Sequence, residues 1–369
     1  MYRKRINQLV EDLSKNKIDL AFIANPQNIY YYSGFSPEIE GNIQPMSDPE
    51  VFLIIHRKQQ YILGDSRLKR ELKKYKDFTF IEIPAPASGH TIGNIIKNVA
   101  GKGQIGLEYQ HISYFDLNQI YQVINPKLTT DISEIIDLAR TIKDETEIKL
   151  LKKAAQITSL GYKHALSLLR PGITEIEISR AISVFFLQYA DGNSFEPIVA
   201  FGSNSAIPHH HSNQTKIKNG NILLIDLGCK YQGYCGDMTR AIYLGQPSPE
   251  FTTRYQILLQ IQNKTIKQIR PGTTSGEIDN FVRSALKPHH LESNFIHGTG
   301  HGIGLAIHEA PSLKPKITTK LTNNMVFSIE PGLYFPGWGG LRLEDIIYLK
   351  NGQPVNITPS SKRLSWIEI

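Results

Sequence analysis

Residues 221 to 242 read NILLIDLGCKYQGYCGDMTRAI. The apolar run Ile222, Leu223, Leu224, Ile225 has the composition of a buried strand, and it ends on Asp226. Gln232-Gly233 marks a turn, and a second strand carrying Asp237 returns from it. Aspartate is depleted in strands, so each carboxylate stands where propensity disfavours it. The two are symmetric about Tyr231/Gln232, and a hairpin turning there sets Asp226 opposite Asp237 on one face. Like charges that close repel unless a cation lies between them. Taken alone, the hairpin is equally well read as one exposed aspartate and one turn aspartate. The rest of the chain has to decide.

An internal repeat does so. Residues 169–178 (LRPGITEIEI) and 269–278 (IRPGTTSGEI) share Leu/Ile-Arg-Pro-Gly-x-Thr-x-x-Glu-Ile at an offset of 100 residues. Each copy follows a long helical pattern, over 144–169 and 249–269. The first opens on the capping box Asp144/Glu147, and Ile148, Leu151, Ala155 and Leu160 form its apolar stripe. In both copies Pro-Gly breaks the chain, and Thr174/Glu177 or Thr274/Glu277 caps a new helix. The first copy leads to the aspartate hairpin. The second leads to strands over 325–330 and 341–349 around a Gly/Pro-rich loop, with Glu330 and Glu344 symmetric about Gly337. Each half thus carries a helix pair, then a strand pair with two carboxylates. A duplicated domain with four acids meeting near a pseudo-two-fold axis is the simplest reading.

Four converging carboxylates call for divalent metal. Between the two pairs lies FIHGTGHGIGLAIHE (295–309), which places His297, His301 and His308 among glycines in a chain of only 12 histidines. A second cluster, AIPHHH, brings His209 at 206–211. Mixed carboxylate and imidazole donors suit manganese, iron, cobalt or zinc. Bridging carboxylates favour two ions close together, so metal-assisted hydrolysis is the expected reaction class.

Residues 1–133 alternate in an α/β manner. Helices are expected over 3–15, 67–76, 92–99 and 114–124, with strands over 20–24, 51–55, 60–63, 78–83, 105–108 and 128–131. They make a self-contained mixed-sheet domain without a catalytic constellation. Tyr30, Tyr31 and Tyr32 are expected in core or interface packing. The remainder, 134–369, is the domain with the repeat, so the fold class is α+β. The chain of 369 residues is long enough for both. Its 41 basic and 34 acidic residues leave a net charge of +7, but the lysines are scattered. The one dense run, over 67–76, reads as a solvated helix face, so no nucleic-acid partner is expected. No apolar run approaches the ~18 residues of a membrane span, and the first residues lack the apolar stretch of a signal peptide. Cys229 and Cys235 form neither a disulfide framework nor a zinc motif. A cytoplasmic protein without a membrane partner is the expectation.

The ordered set Asp226, Asp237, His301, Glu330, Glu344, with the flanks IDLG, GDMTRAI, SIEPGLY and GGLRLED, resembles the pita-bread metallopeptidases. That family includes methionine aminopeptidase, aminopeptidase P and prolidase. The flanks, and NPQNIYYYSGF near the start, are similar to the aminopeptidase P/prolidase branch with its creatinase-type N-terminal domain. The resemblance covers almost the whole chain. It implies a pseudo-two-fold duplicated pita-bread catalytic domain after the N-terminal one, two divalent ions per subunit with manganese first (cobalt, iron or zinc as substitutes), and a homodimer. It implies that Asp226 chelates one ion, Asp237 and Glu344 bridge both, and His301 and Glu330 hold the other. Glu330 doubles as general base, His308 stabilises the oxyanion, and His209 contacts substrate near the scissile bond. His297 and Arg342 orient ligands, balance charge or touch substrate. The implied substrates are proline-containing peptides cleaved at Xaa-Pro. A strict dipeptidase needs a cation for the proline carboxylate. Some similar prolidases place an arginine where HEAPSLKP has Ser312, with Lys314 nearby, and PGLYFPGWGG supplies no cation. The expectation therefore favours Xaa-Pro aminopeptidase over Xaa-Pro dipeptidase. Remoter readings on the same fold are an amidinohydrolase that needs no metal and a non-catalytic binding relative.

Overall fold

The computed structural model describes residues 1–35, 51–364 and 366–369. The chain divides into two compact units, Met1–Ala139 and Arg140–Ile369. The division falls within the helix Ser133–Thr141, whose start is the join expected from sequence.

The first unit holds a six-stranded mixed sheet. Leu20–Ile23 pairs antiparallel with Val51–His56 on one side and parallel with Ile105–Leu107 on the other. Gln60–Gly64 and Thr79–Glu82 extend one edge, and Thr129–Asp131 closes the other. Phe22, Ile54 and Leu63 of the sheet bury against Ile92, Ile96 and Ile120 of the helices Gly89–Ala100 and Tyr114–Tyr121. One expected element needs correction. The helix expected over 67–76 is the single turn Lys69–Leu72, because Leu72 is its one buried anchor and a helix without an apolar face has little to hold it. The tyrosine-rich segment is itself a helix, Pro26–Ser33, capped by the Asn25 carbonyl and opened by proline at its first position. Tyr31 and Tyr32 are buried by it.

In the second unit the duplication is explicit in the backbone. The helices Glu145–Ser167 and Glu175–Tyr189 answer to Pro249–Gln268 and Ser275–Leu286. All three expected capping boxes form, with Asp144, Thr174 and Thr274 each accepting from the amide of the glutamate three residues on. After each Pro-Gly the chain makes the same contacts. Gly172 N–H donates to Ile217 O and Glu175 N–H to Thr215 O; Gly272 donates to Leu321 O and Ser275 to Thr319 O. Ile178, Leu223, Ile225 and Met238 share one core, and Ile278, Phe327 and Ile347 share its counterpart. Along Glu145–Ser167 the buried stripe runs Ile148, Leu151, Ala155, Thr158, Tyr162, so Leu160 falls off it and is 44% exposed.

The aspartate hairpin differs from its expected register. Asp226 pairs with Thr239, and Tyr231 with Tyr234. The turn is therefore centred between Gln232 and Gly233, one step beyond Tyr231/Gln232. Both turn residues have positive φ (47° and 79°), the two-residue turn that matches strand twist. Asp226 and Asp237 remain on one face but as diagonal neighbours rather than opposite. The glutamate hairpin keeps the expected register. Ile329 faces Asp345 and Gly332 faces Arg342, which sets Glu330 against Glu344. The strand expected over 341–349 is two, Gly339–Arg342 and Asp345–Lys350.

Candidate metal centre

Three of the four acids sit where a strand is interrupted. Asp237 lies between Tyr234–Cys235 and Met238–Leu244, Glu330 between Val326–Ile329 and Gly332–Phe335, and Glu344 between Gly339–Arg342 and Asp345–Lys350. At each break the hairpin passes from one sheet to another, and the acid is freed from regular pairing. The two hairpins are joined there. Glu344 N–H donates to Thr239 O, and buried Arg240 donates to Glu344 O and to the Asp345 carboxylate.

Donor atoms of Asp237, His301 and Glu344 lie within 4.8 Å of one another. His301 Nε2 stands 3.2 Å from Glu330 Oε1 and 3.6 Å from Asp237 Oδ2. Its Nδ1 donates to Gly302 O at 3.1 Å. Although burial opposes protonation, the hydrogen bond and charge of Glu330, then the charge of Glu344, raise the His301 pKa, so without a cation Nε2 carries a proton toward the acids. Gly300 and Gly302 on either side admit the neighbouring backbone so closely that a Cβ on either would meet a carbonyl oxygen at 2.0 Å. Ser328 Oγ accepts from His301 N and donates to Glu330 Oε1. Asp226 Oδ2 accepts from Arg342 Nη2 at 2.5 Å, while its Oδ1 is buried and has no hydrogen-bond partner.

Electrostatics show what is missing. Burial, then the charge of Glu344, holds the Asp237 carboxyl well above its usual range. Burial, then Glu330 and Asp226, pushes Glu344 up to about 8. Asp226 is raised by burial against the pull of Arg342. Burial also opposes ionisation of Glu330, but the hydrogen bond and charge of His301 overcome it and hold Glu330 at about 2. A divalent cation is the group this set fits: three clustered acids held above their range, an orphaned buried carboxylate oxygen, and an imidazole whose Nε2 points among the acids and can give up its proton to a metal.

The five expected ligand residues line one cleft of about 790 Å³, together with His209, His297, His308 and Arg342. The His308 ring packs edge-on to His301 at 4.3 Å. Burial, then the charge of His301, lowers the His308 pKa, and burial does the same for His297. His209 is exposed, while its neighbour His210 is buried against Glu175 at 2.8 Å and anchors the loop. Two residues that the sequence reading passed over complete the network. Tyr334 hydroxyl meets His297 Nε2 at 2.9 Å and accepts from Arg342 Nη1 at 2.7 Å. Thr239 Oγ1 accepts from Arg342 Nε and donates to Glu344 Oε2 at 2.6 Å. Thr239 had a signal, since it faces Asp226 across the hairpin once the turn is centred correctly. Tyr334 had one too, since the hairpin register makes it the diagonal neighbour of Arg342 on one face, whereas its contact with His297 is one that no spacing encodes.

Residues 149–351 match the model of metallopeptidase family M24, and residues 5–142 that of the creatinase/prolidase N-terminal domain. The chain belongs to metallopeptidase family M24. The chain is 31% identical to the Xaa-Pro dipeptidase of Pyrococcus furiosus over 98% of its length and 99% of that protein's. The fold superposes on the Xaa-Pro dipeptidase from Bacillus anthracis with a TM-score of 0.89, 31% identity and full coverage of both chains. An X-Pro aminopeptidase from Thermotoga maritima gives 0.86 at 27% identity, covering 98% of this chain and 99% of the other. The M24 metallopeptidases use divalent metal ions, in keeping with the clustered acids. Among the described residues no helix is long and apolar enough to cross a membrane.

Proposed function

We propose that this M24 chain is an Xaa-Pro dipeptidase working with two divalent ions, manganese first among the candidates. The observation that carries the reading is the convergence of Asp226, Asp237, His301, Glu330 and Glu344 on one cleft, with Asp226 Oδ1 unpartnered and the Glu344 carboxyl pushed up to about 8 in the absence of a cation. In this reading Asp226 would hold one ion and His301 and Glu330 the other, with Asp237 and Glu344 available to both. The ions supply Lewis-acid polarisation of the scissile carbonyl and activation of the attacking water. Glu330, which lines the cleft beside His301, would accept the proton of that water. His308, kept neutral beside His301, donates to the oxygen that gains charge. His209 stands at the cleft wall to meet substrate. His297 and Tyr334 fix the Arg342 guanidinium, which in turn orients Asp226. An Xaa-Pro bond lacks an N–H, and none of these roles needs one.

The preference for aminopeptidase expected from Ser312 is given up. The Pyrococcus furiosus relative and the Bacillus anthracis structure, each at 31% identity, carry dipeptidase names, while the Thermotoga maritima aminopeptidase matches at 27%. The test is hydrolysis of Xaa-Pro beside Xaa-Pro-Yaa peptides by metal-free protein reloaded with manganese, cobalt, zinc or iron. Faster cleavage of the dipeptide supports the reading; faster cleavage of the tripeptide returns it to aminopeptidase; cleavage of neither with any metal ends it.

A further inference from the structure

The cleft is acidic, yet a dipeptide brings it a carboxylate. The scissile carbonyl carbon of Xaa-Pro is three bonds from the carboxylate carbon, so the anion lies within ~4 Å of the reacting centre. It needs a cation of its own. Arg342 is committed to Asp226. Arg140 and Lys143 are buried and committed to Glu309. Among the described residues, that leaves Lys314 as the one lysine or arginine lining the cleft without an ion pair.

Its placement follows from the strand before it. In Glu309–Leu313, Pro311 and Leu313 are buried, while Ser312 and then Lys314 turn to the cleft. Ser312 faces His301 across the ladder. Lys314 is therefore rooted one pleat, ~7 Å, beyond the metal-facing histidine, and its flexible stem can bring the ammonium back toward substrate. The stem crosses Gly298. A Cβ there would meet Lys314 Cγ at 2.7 Å and Cε at 3.5 Å, so the missing side chain makes the lane in which the lysine lies.

We infer that Lys314 binds the C-terminal carboxylate of the dipeptide and sets the preference for Xaa-Pro over longer peptides. The inference rests on the Xaa-Pro dipeptidase reading above. Its lysine replaces, from the next outward position of the strand, the cation that Ser312 does not supply.

The experiment compares an Xaa-Pro dipeptide with its C-terminal amide, using manganese-loaded wild type, Lys314→Ala and Lys314→Arg. The expected result is that Lys314→Ala raises KM for the acid by about tenfold or more, with kcat within about twofold. The acid-over-amide preference of the wild type falls toward one, and Lys314→Arg restores most of it. Lys314 is exposed and makes no bond that folding needs, so the variants are expected to fold. If Lys314→Ala changes acid and amide alike, or neither, the inference is overturned while Xaa-Pro hydrolysis stands. If wild type cleaves neither compound, the dipeptidase reading fails and the inference with it.

Discussion

The two carboxylate hairpins descend from one plan and are closed differently. In the aspartate hairpin a two-residue turn, Gln232-Gly233, leaves Asp226 and Asp237 diagonal, with Thr239 facing Asp226. In the glutamate hairpin Phe335 faces Gly339 across a three-residue connection, and Glu330 and Glu344 stand opposite each other. An even turn and an odd one shift the pairing by one step each way, and side-chain alternation converts that step into geometry. The offset lets Thr239 enter the site from the first hairpin and bridge Arg342 to Glu344 of the second. The pseudo-symmetric scaffold thus holds an asymmetric site. One glutamate, Glu344, is hydrogen-bonded to the other hairpin, while Glu330 is paired with His301.

The largest expected effect comes from breaking the shorter turn. Inserting one residue between Gln232 and Gly233 slips the register by one and turns Asp237 to the opposite face. Peptidase activity should fall by about a thousandfold or more, with metal content falling in parallel. The same insertion at Gly337, in the longer and more exposed connection, should cost less, and kcat/KM for both variants checks the ranking.

A second way to sharpen the comparison is pH. Glu344 is raised from 4.5 to about 8 in the folded, metal-free chain. Below 4.5 it is protonated in both states and costs nothing. Between 4.5 and about 8 the unfolded chain ionises while the folded one resists, so stability falls as pH rises. Metal-free protein should show Tm falling from pH 5 to pH 8, with saturating manganese flattening the slope and Glu344→Gln reducing it. A slope of opposite sign would show that Glu344 is not raised.

Thr239→Val keeps the shape of the side chain and removes both hydrogen bonds. It should weaken metal affinity by about tenfold, measured by titration with a competing chelator. Smallest are the caps that the halves share. Thr174→Ala and Thr274→Ala should each lower Tm by roughly 2–4 °C, and by similar amounts, since their bonds are alike.

What was legible in sequence follows from range. The repeat, the capping boxes, the glutamate register and the acids with His301 are carried by local patterns or by exact spacing. The aspartate register was misplaced by one because the turn was centred on the symmetry of the two aspartates, whereas the residues that take positive φ and make the turn are Gln232 and Gly233. The helix Pro26–Ser33 had its signals, Asn25-Pro26 before it and Gly34 after it, but three tyrosines in a row masked its period. Tyr334 meets Arg342 diagonally within its own hairpin but joins His297 only after the hairpin has folded over FIHGTGH, a contact no spacing encodes.

The central claim is that both hairpins contribute to one two-ion site. Calorimetric titration of metal-free protein with manganese tests it most directly. The prediction is about two ions per chain for wild type, and fewer for both Asp237→Ala and Glu344→Ala, one substitution from each hairpin. Undiminished stoichiometry and affinity in either variant would contradict it.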